Sequence, residues 1–231
     1  RGNSSLIDDR SSYKVFEKVT PTFNNILSIR FKIIPDRPSS RGSVVRIKND
    51  EIGAVYNLSY NGEGKAAVFK LNYEGRNTLI SISLDKDVLN ENQWVAVCIK
   101  FDMAKDLVSL KINETEESGN LMQNRTKWNP GIYFGRSEHV IDVPAFKLCN
   151  LRVEDNEKKY YFPLDESDGE FVHDSNKKVV GHVTNPVWLI NDAYYWKKGP
   201  SFSSKKVAGS NFNSETQDIY YFNEDSLTVY N

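Results

Sequence analysis

Short runs of alternating apolar and polar residues recur along this chain, separated by Gly, Asn, Asp and Pro residues. A period of two places every second side chain on one face of an extended strand. No stretch shows a sustained apolar stripe at the 3.6-residue spacing of an amphipathic helix. The pattern predicts strands at residues 26–34, 43–47, 54–60, 66–71, 78–84, 94–102, 107–113, 132–134, 146–153 and 160–164.

The segments between these runs predict tight turns. Asn61-Gly62-Glu63-Gly64 separates two alternating runs, and Asn-Gly is a strong hairpin signal because both residues tolerate positive φ. Strands that recur at short intervals with turn residues between them are typical of antiparallel sheets. We therefore expect an all-β, two-sheet antiparallel sandwich rather than a parallel α/β sheet.

The run at residues 93–101 differs from the others because it is apolar at consecutive positions, as in Trp94-Val95-Ala96-Val97-Cys98-Ile99. A strand that is apolar on both faces is expected in the middle of a sheet with its outer face covered. The cover would be another domain or a partner protein.

The last part of the chain, residues 191–231, has a separate pattern. Three short apolar runs at 206–212, 218–222 and 226–230 predict an antiparallel β-meander, which resembles a blade of a kelch- or galactose-oxidase-type propeller. One blade cannot stand alone in a radial repeat. The chain is therefore expected to comprise a sandwich at 1–190 and a meander extension at 191–231, a truncated blade of an adjoining propeller domain or a meander packed on the sandwich.

Charge and hydropathy argue against a nucleic-acid partner and against a membrane-spanning helix. The 231 residues carry 30 Lys and Arg against 31 Asp and Glu, a formal net charge of −1. This balance does not provide the basic footprint of a nucleic-acid-binding protein, so we expect no nucleic-acid or other polyanion partner. The longest apolar runs are far shorter than a membrane span.

The two cysteines, Cys98 and Cys149, each lie in an apolar β-pattern. They do not form a disulfide framework, and two buried thiols are favoured over a bridge. Matches to the N-glycosylation signal are of the kind that Asn-rich surfaces also produce by chance, and they occur at Asn3, Asn57, Asn113 and Asn124.

Four of the apolar segments together resemble laminin-G-like domains of the concanavalin-A-like lectin/glucanase superfamily. The hairpin of residues 92–102 and 107–113 is similar to the central hairpin of that family, and residues 131–135 and 146–153 are similar to its next strands. The resemblance extends over about residues 23–188. It implies a jelly-roll sandwich and an extracytoplasmic setting, on a fold that serves lectins, enzymes, adhesion domains and spacers.

A second element supports the same family. Residues 161–169, followed by Asp174, Gly181 and residues 185–188, resemble an aromatic, leucine and acid element of bacterial laminin-G-like modules. That element usually opens the domain, whereas here it follows the other strands. The order implies a permuted or terminal strand.

An enzyme is one functional hypothesis. Glu166, Asp168 and Glu170 have the Glu-x-Asp-x-Glu spacing of glucanases on this fold. On a strand, this spacing places three carboxylates on one face, as a retaining glycoside hydrolase requires. The intervening Ser167 and Gly169 are turn formers, which favours a solvated turn instead.

Calcium is the ligand that the resemblance implies most directly, at the rim of the sandwich. Calcium needs several oxygen ligands from carboxylates, amides and carbonyls. The candidate ligands are Asp142, Asp165, Asp168 and Asp174. The alternative is that these acids only solvate the surface.

A glycan site is predicted at the end of the long polar connection 114–131. Loops of this length are often functional, and an aromatic ring beside an amide suits a sugar ring and its hydroxyls. For the tryptophan itself, a place at the end of the core is favoured over stacking on a ligand. The candidate residues are Trp128, Asn129, Arg136, Glu138 and His139.

The leading functional hypothesis is a non-catalytic extracytoplasmic recognition module for carbohydrate, within a larger surface or sensory protein. Its partner would be a glycan or a protein, with calcium assisting in the first case. The alternatives are a structural spacer or protein-interaction domain, and a glycoside hydrolase that uses Glu166 and Glu170.

Overall fold

A computed structural model describes residues 3–49, 53–74, 77–86, 93–122, 127–136 and 142–189, together with three short strands near the end of the chain. The chain divides into two compact units, Arg1–Asn191 and Asp192–Asn231. The described residues form strands and turns. They include no helix long and apolar enough to cross a membrane.

The first unit contains two large antiparallel sheets, each of eight strands. In the first sheet, seven strands pair in the order β11-β10-β9-β4-β14-β1-β18, and the eighth strand, β15, pairs with β14. Its strands are β1 (Ser4–Ile7), β4 (Ile26–Pro35), β9 (Val95–Asp102), β10 (Leu107–Ile112), β11 (Thr115–Asn120), β14 (Phe146–Glu154), β15 (Lys159–Phe162) and β18 (Trp188–Leu189).

The second sheet has the order β16-β17-β2-β13-β5-β6-β7-β8. Its strands are β2 (Ser12–Lys14), β5 (Arg41–Asn49), β6 (Val55–Asn61), β7 (Ala66–Tyr73), β8 (Asn77–Asp85), β13 (Pro130–Gly135), β16 (Phe171–His173) and β17 (Val180–Thr184). A separate two-stranded ladder joins β3 (Phe23–Asn24) to β12 (Lys127–Trp128).

The core lies between the two large sheets. Strand β6 shows the reason, because Tyr56, Leu58 and Tyr60 are buried while the residues between them are half-buried on the outer face. β7 and β9 alternate in the same way, and one continuous hydrophobic cluster joins both inner faces. The predicted all-β, two-sheet antiparallel jelly-roll sandwich is confirmed.

All ten predicted strands of the sandwich are present, with boundaries shifted by a few residues. The strands that the pattern does not predict are short or polar. β1 and β2, for example, occupy interior positions in their sheets although they span only Ser4–Ile7 and Ser12–Lys14. Pairing with longer neighbours stabilises them, and such pairing is not visible in local alternation.

The predicted hairpin at Asn61-Gly62 joins β6 to β7. Its glycine is required by a close approach of two backbone segments, because a Cβ on Gly62 would lie 1.7 Å from the carbonyl oxygen of Pro38. The Tyr60 hydroxyl donates to that same oxygen at 2.6 Å. The 37–40 turn is thereby packed against the hairpin.

Residues 114–131 are not one long loop, which corrects the sequence prediction. β11 pairs with β10 over Thr115–Asn120 and forms an edge of the first sheet. Its side chains are mostly exposed, so it has no apolar face that a period-two pattern would reveal. A short charged edge strand of this kind also discourages pairing with other chains.

The expected cover over both faces of β9 is incomplete. Val95, Val97, Ile99 and Phe101 are buried, whereas Ala96 is exposed on the outer face. Cys98, also on the outer face, lies opposite Arg30 on one side and Lys111 on the other. The aliphatic stems of long cationic side chains shield such a small residue without a separate covering element.

Both cysteines are free thiols, as predicted. Cys149 is buried, and burial raises the pKa of its thiol to about 11. Cys98 is only half-buried.

The second unit contains β19 (Gly209–Phe212), β20 (Ile219–Phe222) and β21 (Leu227–Tyr230) in one antiparallel meander. These strands overlap the three apolar runs of the sequence. Its relation to a propeller blade stays a prediction.

Candidate functional site

Trp128 is completely buried, so it occupies the place that the core alternative predicts. Its ring centroid lies 4.8 Å from that of Phe101 and 5.6 Å from that of Tyr56. Among the described residues, the indole Nε1 has no hydrogen-bond partner. A ring without exposed surface offers no face on which a sugar could stack.

Two of the other candidate glycan residues lie in the described part of the chain. Asn129 is half-buried, and Arg136 is exposed at the end of β13, where its N–H donates to the carbonyl of Ser11. Glu138 and His139 lie outside the described residues, as does the signal at Asn124. Of the three predicted glycan residues that the structure describes, the aromatic one is therefore buried and only Arg136 is exposed.

The four candidate calcium ligands do not form a suitable donor set. Asp142, Asp165 and Asp168 are exposed. Asp174 is buried, and its Oδ1 accepts the N–H groups of Lys178 and Val179 at 2.7 Å each. Within the described part of the chain, no three acidic, histidine or cysteine side chains converge as metal ligands.

Glu166 and Glu170 lie in the bend between β15 and β16, not on a strand. Oε1 of Glu166 accepts the N–H of His173, and Glu170 lies 3.5 Å from Nε2 of His182. Burial raises the pKa of the Glu166 carboxyl, and the hydrogen bond from His173 offsets part of that effect. This arrangement lacks the three carboxylates on one strand face that a hydrolase of the predicted type requires.

The outer face of the second sheet contains a continuous row of polar and aromatic side chains, here called the polar row. Each member is the register partner of the next, so the row crosses all eight strands at right angles to them. Because neighbouring strands lie about 4.8 Å apart, it extends over about 30 Å. In spatial order it consists of Phe171, His182, Lys14, Tyr133, Arg46, Asn57, Asn72 and Thr78.

An aromatic ring between two cations forms the centre of the polar row. Tyr133 is half-buried and lies opposite Lys14 on one side and Arg46 on the other. Nζ of Lys14 donates to the carbonyl of Glu17 at 3.0 Å. Arg46 makes no ion pair with any described residue, so its guanidinium donors remain available to a ligand.

Hydrogen bonds hold the amides on one side of the centre. The hydroxyl of Ser43 donates to Oδ1 of Asn57, and that of Thr78 donates to Oδ1 of Asn72. Nδ2 of Asn72 donates to the Ser59 hydroxyl at 3.3 Å. These bonds limit the rotamers of both amides, so less side-chain entropy is lost when a ligand binds.

The other end of the polar row is more apolar. Phe171 is 51% exposed, and its ring lies 5.6 Å from that of His182. The rings of Phe171 and Tyr133 are thus separated along the row, with His182 and Lys14 between them.

The polar row is absent from the sequence prediction for a physical reason. Its members come from eight strands that are distant along the chain, and only the pairing register aligns them. The sequence does indicate which of these residues face outward, since they alternate with buried ones in β5, β6 and β7.

Comparison with known proteins supports the fold. No known family model matches the chain, and no curated protein matches its sequence. Among solved structures, a candidate carbohydrate-binding protein from Bacteroides ovatus has a TM-score of 0.57 at 14% identity, over 83% of this chain and 60% of that one. The heptameric SAP-like pentraxin of Limulus polyphemus has a TM-score of 0.50 at 12% identity, over 66% of this chain and 76% of that one.

A third similar structure contains domains LG4-5 of the mouse laminin α1 chain, with a TM-score of 0.46 at 15% identity, over 77% of this chain and 47% of that one. At these identities the likeness concerns the fold alone. This chain spans only 60% of the length of the Bacteroides protein. The first unit thus shares a two-sheet jelly-roll fold with the Bacteroides protein and the pentraxin.

Proposed function

We propose that this protein is a non-catalytic carbohydrate-recognition module that binds glycans on the polar row. The observation that carries the proposal is the row itself, in which Tyr133 lies between two cations and two oriented amides follow beyond Arg46. Carbohydrates present apolar ring faces and many hydroxyl groups, and they are recognised by aromatic rings together with fixed polar side chains.

The shape of the surface favours an extended ligand. The polar row lies on the outside of a sheet and runs across all of its strands, so its contacts are spread over about 30 Å rather than gathered in one cavity. A chain of several sugar units would contact more of the row than a single sugar. Such binding is shallow, and each contact contributes little.

The setting is proposed to be extracytoplasmic, within a larger surface or sensory protein, as the resemblance to laminin-G-like modules implies. Fractionation of the cells that produce the protein would test this. Recovery of the full-length protein in the cytoplasm would contradict it.

Arg136, at the end of β13, is proposed to contribute beside the row, and the roles of Asn129, Glu138 and His139 stay predictions.

The first experiment is a screen of the purified protein against a broad panel of neutral oligosaccharides, followed by titration of Tyr133→Ala with the best ligand. We expect affinity to fall by about tenfold or more, about 1.4 kcal/mol, because the central ring is lost. Tyr161→Ala is the matched control, since Tyr161 is a half-buried tyrosine on the first sheet. If the protein binds none of the oligosaccharides, or if both variants lose affinity equally, the proposal is contradicted. The spacer or protein-interaction alternative would then be favoured.

A further inference from the structure

Cations outnumber acids on the outer face of four neighbouring strands of the first sheet, although the whole chain is nearly neutral. On the four neighbouring strands β10, β9, β4 and β14, the outward cations are Lys111, Lys100, Arg30, Lys32, Lys147 and Arg152. Only Asp102 and Glu154 are acidic on the outer face of the same strands. Both already have cationic partners, since Asp102 lies 3.7 Å from Lys105 and Glu154 lies 3.5 Å from Arg30.

Two arginines lie directly opposite each other at the centre of this face. Arg30 of β4 and Arg152 of β14 are register partners, and both are exposed. Like charges in directly opposed positions of an antiparallel pair are destabilising. Glu154 already offsets part of this cost at Arg30, and an anion bound at Arg152 would reduce the part that remains.

The position of Arg152 is set by a local feature of the backbone. A register shift interrupts the pairing of β14 with β4 between Cys149 and Arg152, and Asn150 within it has a φ of 55°. Oδ1 of Asn150 accepts the hydroxyl of Tyr161 at 2.7 Å. The tyrosine ring lies 5.0 Å from the guanidinium carbon of Arg152, a cation–π contact.

This contact orients Arg152 without neutralising it. Among the described residues, no carboxylate lies within ion-pair distance of Arg152 or of Lys32, which is exposed two residues along β4 from Arg30. A guanidinium fixed against a ring keeps its fork of donors for bidentate bonds to a planar carboxylate.

We propose that Arg30, Arg152 and Lys32 bind the carboxylates of an acidic polysaccharide, that is, a chain of uronic acid units. A polysaccharide fits better than a protein partner, because the rows through Arg30 and Lys32 include no exposed large apolar side chain among the described residues. The centre of a protein interface needs such anchors. Carboxylates at regular intervals along an extended chain match cations on neighbouring strands of an open sheet.

This binding surface lies on the opposite sheet from the polar row and does not depend on the function proposed for that row. The two assignments are tested separately. Tyr133→Ala should leave acidic polysaccharide binding unchanged, whereas Arg152→Gln should leave neutral glycan binding unchanged.

The test is titration of the full chain with polygalacturonate at low salt, compared with the same polymer after methyl esterification of its carboxylates. We expect saturable binding of the acid form, loss of binding after esterification, and affinity that falls as salt rises. Arg152→Gln and Arg30→Gln should each weaken binding by about tenfold, and Arg152→Lys should weaken it as well, because lysine keeps the charge but lacks the bidentate fork. Arg41→Gln is the matched control, since Arg41 is an exposed arginine of the second sheet.

Circular dichroism of each variant would confirm that the sandwich is intact, and the two glutamine variants provide independent readings if one fails to fold. Equal binding of the esterified polymer would overturn the proposal. So would absence of binding, an equal loss in Arg41→Gln, or binding of dextran sulfate with none of polygalacturonate.

Discussion

Trp128 illustrates how burial decides the role of a single residue. The indole is fully buried and contacts Phe101 and Tyr56, which belong to the two different large sheets. It therefore joins the inner faces of the sandwich. A tryptophan beside an amide in a polar stretch has the same local sequence whether it is a binding platform or a core residue, and only the packing separates the two roles.

Trp128→Ala is expected to lower the free energy of unfolding by about 3–5 kcal/mol, because it leaves a large cavity between the sheets. Trp128→Phe should cost clearly less, since it retains an aromatic ring and the indole N–H has no described partner to lose. Denaturant titration of both variants measures these differences. Unchanged stability in Trp128→Ala would contradict the core role, and a folded Trp128→Phe variant that no longer binds neutral glycans would restore the stacking hypothesis.

At the scale of the elements, strands with a clear period of two were predictable and the others were not. β7 and β9 bury one face and leave the other at least partly exposed, so their pattern is visible locally. β11 has almost no buried side chain, and β1 and β2 are too short for a pattern. Those three strands are held by ladder hydrogen bonds to their neighbours, which no local sequence signal reports.

The β6–β7 hairpin gives a test at this scale. Gly62→Ala should destabilise the sandwich by about 1–3 kcal/mol, because the added methyl group would force the 37–40 turn away from the hairpin. Gly64→Ala in the same turn is the control, since its Cβ would lie 3.7 Å from the nearest heavy atom, the carbonyl oxygen of Ala66. Thermal unfolding compares the two variants, and equal melting temperatures would show that the close approach at Gly62 does not constrain the fold.

At the scale of the whole molecule, the fold distributes charge unequally between its faces. A net charge of −1 predicts no polyanion partner, yet pairing of distant strands collects cations on the outer face of the first sheet. The outer face of the second sheet has instead a mixed row of rings, amides and charges. Net charge is an average over the surface, and it cannot report how charges are grouped.

The two proposed binding surfaces lie on opposite sides of a packed core, so they should act independently. The Kd of the best neutral oligosaccharide should change by less than about twofold when polygalacturonate is saturating, which corresponds to a coupling free energy near zero. Added salt should lower the affinity for the acidic polymer but not for the neutral oligosaccharide, because binding of the acidic polymer is mainly electrostatic. Calorimetric titration in each order measures both effects, and a mutual tenfold change in affinity would show that the surfaces are coupled or shared.

The sequence by itself determined the all-β class, ten strands of the sandwich and the hairpin at Asn61-Gly62, because alternation and turn chemistry act over a few neighbouring residues. Tertiary structure decided the burial of Trp128 and of Asp174, and the alignment of Tyr133 with Arg46 and of Arg30 with Arg152. These features depend on which strands pair and in which register. Register is set by the complete set of contacts in the core, so residues far apart in the sequence become neighbours only when the whole sandwich forms.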